Sequence, residues 1–474
     1  MSIQPSRVVI VGGGPGGYEA GLVAAQLGAE VSLVDSDGVG GSAVLTDCVP
    51  SKTLIATAEL MTEVEGAGEL GVELTPVEPV SSVEPVETTP TSVRVDLTRV
   101  NARVKQLARD QSDDIERRLE NEGVRVVRGR GRLDGAGTVV VETADGEERL
   151  GADAVLLATG AAPRITPDAQ PDGERILTWE QVYDLTDLPE HLIVVGSGVT
   201  GAEFASGYLA LGVEVTLVSS RDRVLPGEDA DAAAVLEEVL TRRGMHVLAR
   251  SRMASVTREG DAVTVTLTDG RTVQGSHCIL AVGSVPKTDG LGLETAGVDV
   301  DDRGFVVVDR VSRTTARGVY AAGDCTGVLM LASVAAMQGR IAMWHFLGDA
   351  VSPLDLKKVS SNVFTAPEIA TVGWSQEAVD RGEVQANQVM LPLAGNARAK
   401  MQGVRDGFVK LFCSPGTGIV VGGVVVAPRA SELIHPVSIA VAQSMTADQL
   451  AQAFTVYPSI SGSVAEAARR LHRV

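Results

Sequence analysis

Short apolar runs, glycine turns and stretches of small residues follow one another in a fixed order along this chain. In "RVVIVGGGPGGYEAGLVAAQLGAEVSLVD", residues 7 to 35, a four-residue apolar run enters a glycine turn, a segment of Ala, Leu, Val and Gly follows, and a second apolar run closes on Asp35. That order predicts strand, turn, helix and strand, a parallel βαβ unit. "HLIVVGSGVTGAEFASGYLALGVEVTLVSS", residues 191 to 220, repeats the plan. An α/β fold with two Rossmann-like dinucleotide-binding domains is therefore expected.

Each unit carries the spacing G-x-G-x-x-G: Gly12, Gly14 and Gly17 in the first, Gly196, Gly198 and Gly201 in the second. The first glycine permits a tight turn, the second lets the backbone approach a pyrophosphate, and the third lets helix and strand pack closely. Phosphates then meet the positive end of the helix. One match is weak evidence; two between strand and helix predict two dinucleotide sites. Asp35 ends the second strand of the first unit, where a carboxylate accepts from ribose hydroxyls and repels a 2′-phosphate, which suits FAD or NAD. The equivalent residue of the second unit is Ser219, with Arg221 and Arg223 beyond it. Guanidinium groups there suit the 2′-phosphate of NADPH, with NADH also admissible; the alternative is that they are ordinary surface charges.

With 474 residues the chain is long enough for about three domains, and 44% apolar with 22% charged residues fits a globular protein. A formal charge of −20 disfavours nucleic acid and anionic lipid as partners. No stretch reaches the roughly 20 apolar residues of a membrane span, and the polar residues 1 to 7 run straight into the first strand, so a cytoplasmic location is expected. Cys48, Cys278, Cys325 and Cys413 are far apart and match no metal-ligand spacing, so no metal site is expected.

From about residue 7 to residue 470 the chain resembles the flavoprotein disulfide reductases, the group containing dihydrolipoamide dehydrogenase and glutathione reductase. GGGPGG at 12 to 17, LLATGAAP at 156 to 163, LAVGSVPKTDGLGLE at 280 to 294 and VYAAGDCTG at 319 to 327 carry the resemblance, and VFTAPEIATVGWS at 363 to 375 is similar to the opening of the family's interface domain. The resemblance implies an FAD domain in two segments, 1–160 and 281–350, around an NAD(P) domain, 161–280, followed by an α+β dimerisation domain, 351–474, that makes a homodimer. It also implies that Pro15, Gly16, Gly41, Ser42, Gly131, Ala158, Thr159, Gly160, Leu331 and Ala332 lie along the FAD and Gly283 along the nicotinamide cofactor. Asp324 would meet the ribityl chain, although Asp after Gly is also a common helix cap. Lys52 and Glu203 match the family's ion pair beside flavin N5.

Two motifs depart from the family pattern. "GGSAVLTDCVPSK", residues 40 to 52, has Ala43 where the family has the first of two cysteines; only Cys48 remains. Near the C-terminus "YPSISG" has Tyr457 in place of the family's acid-base histidine and Gly462 in place of its orienting glutamate. A phenol with a pKa near about 10 replaces an imidazole near about 6.5. With the exchange thiol, the histidine and the glutamate all absent, disulfide and dihydrolipoamide chemistry is not expected. Electrons reaching the flavin must leave to another acceptor; a planar quinone needs two electrons and two protons and no thiol, and Tyr457 could stack on it. Alternatives are a soluble transhydrogenase with a second nicotinamide as acceptor, and a non-enzymatic FAD scaffold or redox sensor, against which the two intact glycine units argue. Cys48 is either a thiolate that tunes the flavin or an inherited buried thiol without a role. Residues 71–97, rich in Pro, Val, Glu and Thr, read as a long loop or irregular hairpin, either a partner surface or a tolerated insertion.

Overall fold

The computed structural model describes residues 5–72 and 93–472. Most of the Pro/Val/Glu/Thr-rich segment, residues 73–92, therefore lies outside the described residues. The described residues form two compact units, one from 5–53, 103–183 and 279–359, the other from 54–72, 93–102, 184–278 and 360–472.

In the first unit the strand Arg7–Val11 sits at the centre of a five-stranded parallel sheet, in the order Val319–Ala321, Ala154–Leu157, Arg7–Val11, Glu30–Asp35, Arg125–Arg128. Both sequence segments expected to build the FAD domain thus contribute to one sheet. Val8, Ile10, Leu33, Leu156 and Tyr320 are buried between this sheet and the helices Pro15–Gln26 and Ala332–Leu347. Close packing of those two helices requires small residues: a Cβ on Gly339 would lie 2.0 Å from the Gly16 carbonyl oxygen. On the other face, Val9, Val11, Val155 and Leu157 pack with Val139 and Val141 of the three-stranded antiparallel sheet 130–151.

The second unit contains the second βαβ element, His191–Val195, Val199–Ala210 and Glu214–Val218, with Glu214–Val218 parallel to both His191–Val195 and His246–Leu248. An antiparallel three-stranded sheet over 253–275 accompanies it. Residues 360–472 build an antiparallel sheet in the order Ser360–Val363, Glu368–Gly373, Val420–Ala427, Phe408–Cys413, Asn387–Pro392, with helices His435–Ala442 and Gly462–Leu471 on its apolar face. The fold is mixed α/β with two Rossmann-like units and a C-terminal α+β region. Among the described residues no helix is long and apolar enough to cross a membrane, and no group of His, Cys, Asp and Glu could hold a metal ion.

Candidate active site

The carboxyl ends of the parallel strands of the first unit open into a cleft of about 900 Å³. The glycine turn forms its floor. Gly12 has φ +107°, and a Cβ there would lie 2.2 Å from the Ala158 carbonyl oxygen; on Gly17 it would lie 1.9 Å from the Gly12 carbonyl oxygen. Gly14 caps the helix Pro15–Gln26 from the cleft side, and a Cβ built on it would have only Gly41 Cα, 4.0 Å away, within contact range. The space in front of the turn is therefore open, with the helix N-terminus facing it, which fits a pyrophosphate. Asp35, at the end of the adjacent strand, holds the turn: its carboxylate accepts from Gly13 N at 2.6 Å, Asp37 N at 2.8 Å and Gly38 N at 2.7 Å while also lining the cleft.

Pro15, Gly16, Gly41, Ser42, Gly131, Ala158, Thr159, Gly160, Asp324 and Ala332 line the same cleft. Leu331 stands beside Ala332 as the N-cap of the helix Ala332–Leu347. Thr159 Oγ1 donates to the Lys287 carbonyl at 2.7 Å and Ala158 N to the Val11 carbonyl at 2.7 Å, which fixes this wall. Gly283, φ +100°, is exposed, and its carbonyl accepts from Arg164 N at 2.9 Å. Asp324 opens a turn between Gly323 and Gly327, and Gly323 N donates to the buried Gln338 side chain at 2.8 Å. Burial, and to a lesser degree the neighbouring Asp47 charge, push the Asp324 carboxyl up to about 6. A half-buried carboxylate on this turn is an acceptor suited to hydroxyl groups of a ligand in the cleft.

Ala43 and Cys48 both line the cleft, and none of the four cysteines is in a disulfide. Cys325 is fully buried next to Asp324, where burial drives its thiol up to about 11, so it is no thiolate near neutral pH. Lys52 is half-buried in the helix Cys48–Gly66. In the second unit Glu203 is buried on the helix Val199–Ala210 and accepts from Phe364 N at 2.9 Å.

The second glycine turn has the same shape as the first: Gly196 has φ +111°, Gly198 caps the helix Val199–Ala210, and Gly201 is buried in its first turn. The fully buried Ser219 points its hydroxyl at Ser197 Oγ in that turn, 2.7 Å away. Arg221 is exposed. Arg223 is turned back, its Nη2 donating to the carbonyls of Pro226 at 3.3 Å and Glu228 at 3.4 Å. Tyr457 is 86% exposed, five positions before Gly462 starts the last helix. Sequence reasoning passed over Thr46, Asp47, Arg130, Glu142, Glu180 and Lys287, which also line the cleft. Only Asp47 had a signal, its place beside Cys48.

Comparison with known proteins agrees with this architecture. Residues 6–339 match the family model described as pyridine nucleotide-disulphide oxidoreductase, and residues 359–468 match that family's dimerisation domain. The chain belongs to this family, the flavoprotein disulfide reductases, and is an oxidoreductase. A curated relative from Mycobacterium tuberculosis strain H37Rv, named NAD(P)H dehydrogenase (quinone), is 56% identical, with 98% of this chain and 94% of the relative covered. A dihydrolipoyl dehydrogenase from Zymomonas mobilis is 32% identical over 97% of this chain and 96% of its own length. The crystal structure of LpdA from Mycobacterium tuberculosis superposes with a TM-score of 0.92 at 55% identity, covering 99% of this chain and all of that one.

Proposed function

We propose that the chain is an FAD-dependent NAD(P)H dehydrogenase that passes two electrons from NADPH, or NADH, to a quinone-like acceptor, as a homodimer and without disulfide reductase or dihydrolipoamide dehydrogenase activity. The observation that carries this reading is a cleft at the first glycine turn whose wall holds Ala43 and one cysteine, Cys48, where the family has a dithiol. The name of the 56%-identical relative supports the acceptor class.

In this reading FAD supplies a ring that takes up a hydride and returns two electrons. The glycine turn at Gly12, Gly14 and Gly17 and the helix behind it hold the pyrophosphate, Asp35 the adenosine ribose, and Asp324 the ribityl hydroxyls. Lys52 provides a positive charge where negative charge develops on reduction. The turn at Gly196, Gly198 and Gly201 holds the nicotinamide dinucleotide, and the exposed Arg221 meets a 2′-phosphate. Ser219 acts by holding the turn, since its hydroxyl is committed to Ser197. Cys48 and, from the second copy, Tyr457 border the acceptor. Phe454, Val456 and Tyr457 are exposed in the single chain, and a second copy would cover them.

The test is steady-state oxidation of NADPH by purified protein with menadione or with lipoamide. Turnover with menadione and none with lipoamide is expected; lipoamide turnover, or no turnover with either, would overturn the proposal.

A further inference from the structure

The strand Phe408–Cys413 is buried at every position and carries one charge, Lys410, which is 2% exposed. Its Nζ donates to Asp229 Oδ1 at 2.9 Å, Asp229 Oδ2 at 2.8 Å and Asp231 Oδ2 at 2.6 Å, and lies 5.5 Å from the Phe408 ring centre. Desolvating an ammonium costs several kcal/mol unless close anions repay it, and an apolar residue would serve the sheet at least as well. The position of the lysine points to a role on the residues it holds.

Asp229 begins the helix Ala230–Arg242, its Oδ1 accepting from Asp231 N at 3.1 Å and Ala232 N at 3.2 Å. At the other end of that helix Arg242 pairs with Asp406, so the helix is tied to one short stretch of chain at both ends. The loop 219–228 leads into Asp229 and is held along its length. Arg223 binds the carbonyls of Pro226 and Glu228, and Val224 N donates to Glu237 of the helix at 3.1 Å. Leu225 is buried with φ +49°, a strained conformation for a branched residue, and its N donates to the Ser197 carbonyl at 2.8 Å. Ser197 lies between Gly196 and Gly198, and its hydroxyl meets Ser219. A continuous path of polar contacts and rigid backbone thus runs from Lys410 to the second glycine turn.

We propose that Lys410 is a positioning residue for the nicotinamide dinucleotide: by fixing Asp229 it sets the loop that carries Arg221 and aligns that loop on the glycine turn. The proposal rests on the reading of the second βαβ unit as the NAD(P) site. It makes a strand of the dimerisation domain part of nucleotide affinity, and the coupling is reciprocal.

Lys410→Met in the FAD-loaded enzyme tests this, with NADP+ titrated calorimetrically. Bound FAD is expected at wild-type content, because every residue lining the first cleft lies outside this network, while the Kd for NADP+ rises about tenfold. Hydrogen exchange of 219–228 should quicken in the variant and slow on NADP+ addition to the wild type. If the lone buried carboxylates prevent Lys410→Met from folding, Lys410→Met with Asp229→Asn keeps a helix cap and removes one charge, and the same loss of affinity is expected. A folded variant that binds NADP+ within twofold of wild type, or whose 219–228 segment exchanges as in wild type, overturns the role of Lys410. Failure of the wild type to bind NADP+ would instead remove the nucleotide site itself, and this role with it.

Discussion

Replacing Asp324 by Asn should stabilise the cofactor-free protein at neutral pH, even though Asp324 sits in the cleft that the enzyme needs. In the folded chain burial and the Asp47 charge raise this carboxyl from its ordinary 3.8 to about 6. A raised folded pKa means that folding favours the protonated form. The contribution to stability is complete below pH 3.8, declines as the pH rises toward 6, and is lost above it. The difference between the two values corresponds to a deficit of ~3 kcal/mol at pH 7.5, falling to roughly half at pH 5. Asn keeps the size and turn preference of Asp without the charge. Urea denaturation of flavin-stripped wild type and Asp324→Asn at the two pH values measures the difference directly. The variant should be more stable by a few kcal/mol at pH 7.5 and by about half as much at pH 5. Asp47→Asn should recover a smaller part, because burial is the larger cause. A variant no more stable than wild type at pH 7.5, or an advantage that does not shrink at pH 5, would refute the reasoning.

Other outcomes follow from the same geometry. Gly12→Ala forces a Cβ to 2.2 Å from the Ala158 carbonyl in a backbone conformation that L side chains avoid, so the variant should purify with little or no flavin, read from its visible absorbance. Arg221→Ala should raise KM for NADPH by about tenfold and leave KM for NADH nearly unchanged, since a charge-assisted bond to phosphate is worth roughly 1.5–3 kcal/mol; equal effects on both nucleotides would place Arg221 away from the 2′-position. Ala43→Cys should add a second thiol to the cleft and increase electron uptake on anaerobic titration, yet leave lipoamide turnover undetectable, because Tyr457 and Gly462 supply no imidazole and no orienting carboxylate.

The two βαβ units were legible because their first strands are unbroken apolar runs and their turns need glycine for steric reasons that any such turn shares. The strands form at Arg7–Val11 and His191–Val195, where the pattern puts them. Gly12, Gly14 and Asp35 are singled out by motif and Asp324 by the family resemblance, and all four line one cleft. Ser219 was read as part of a nucleotide contact, but the direction of its hydroxyl depends on the distance to Ser197, 22 positions earlier, which spacing does not encode. Arg223 likewise carried the right charge in the right segment, and only the folded loop turns it onto Pro226 and Glu228. Asp47, Glu180 and Lys287 reach the cleft from separate loops, and such convergence has no local pattern. Lys410 left a faint trace, a single cation inside the run FVKLFC, but its partners Asp229 and Asp231 lie about 180 positions away.

Anaerobic reductive titration of the FAD-loaded enzyme, with dithionite or NADPH and followed by flavin absorbance, tests the central claim most directly. With Cys48 and no second thiol at position 43, each subunit should accept two electrons and bleach in a single phase. Uptake of four electrons per subunit, with two consumed before the flavin bleaches, would reveal a reducible sulfur couple and contradict the account.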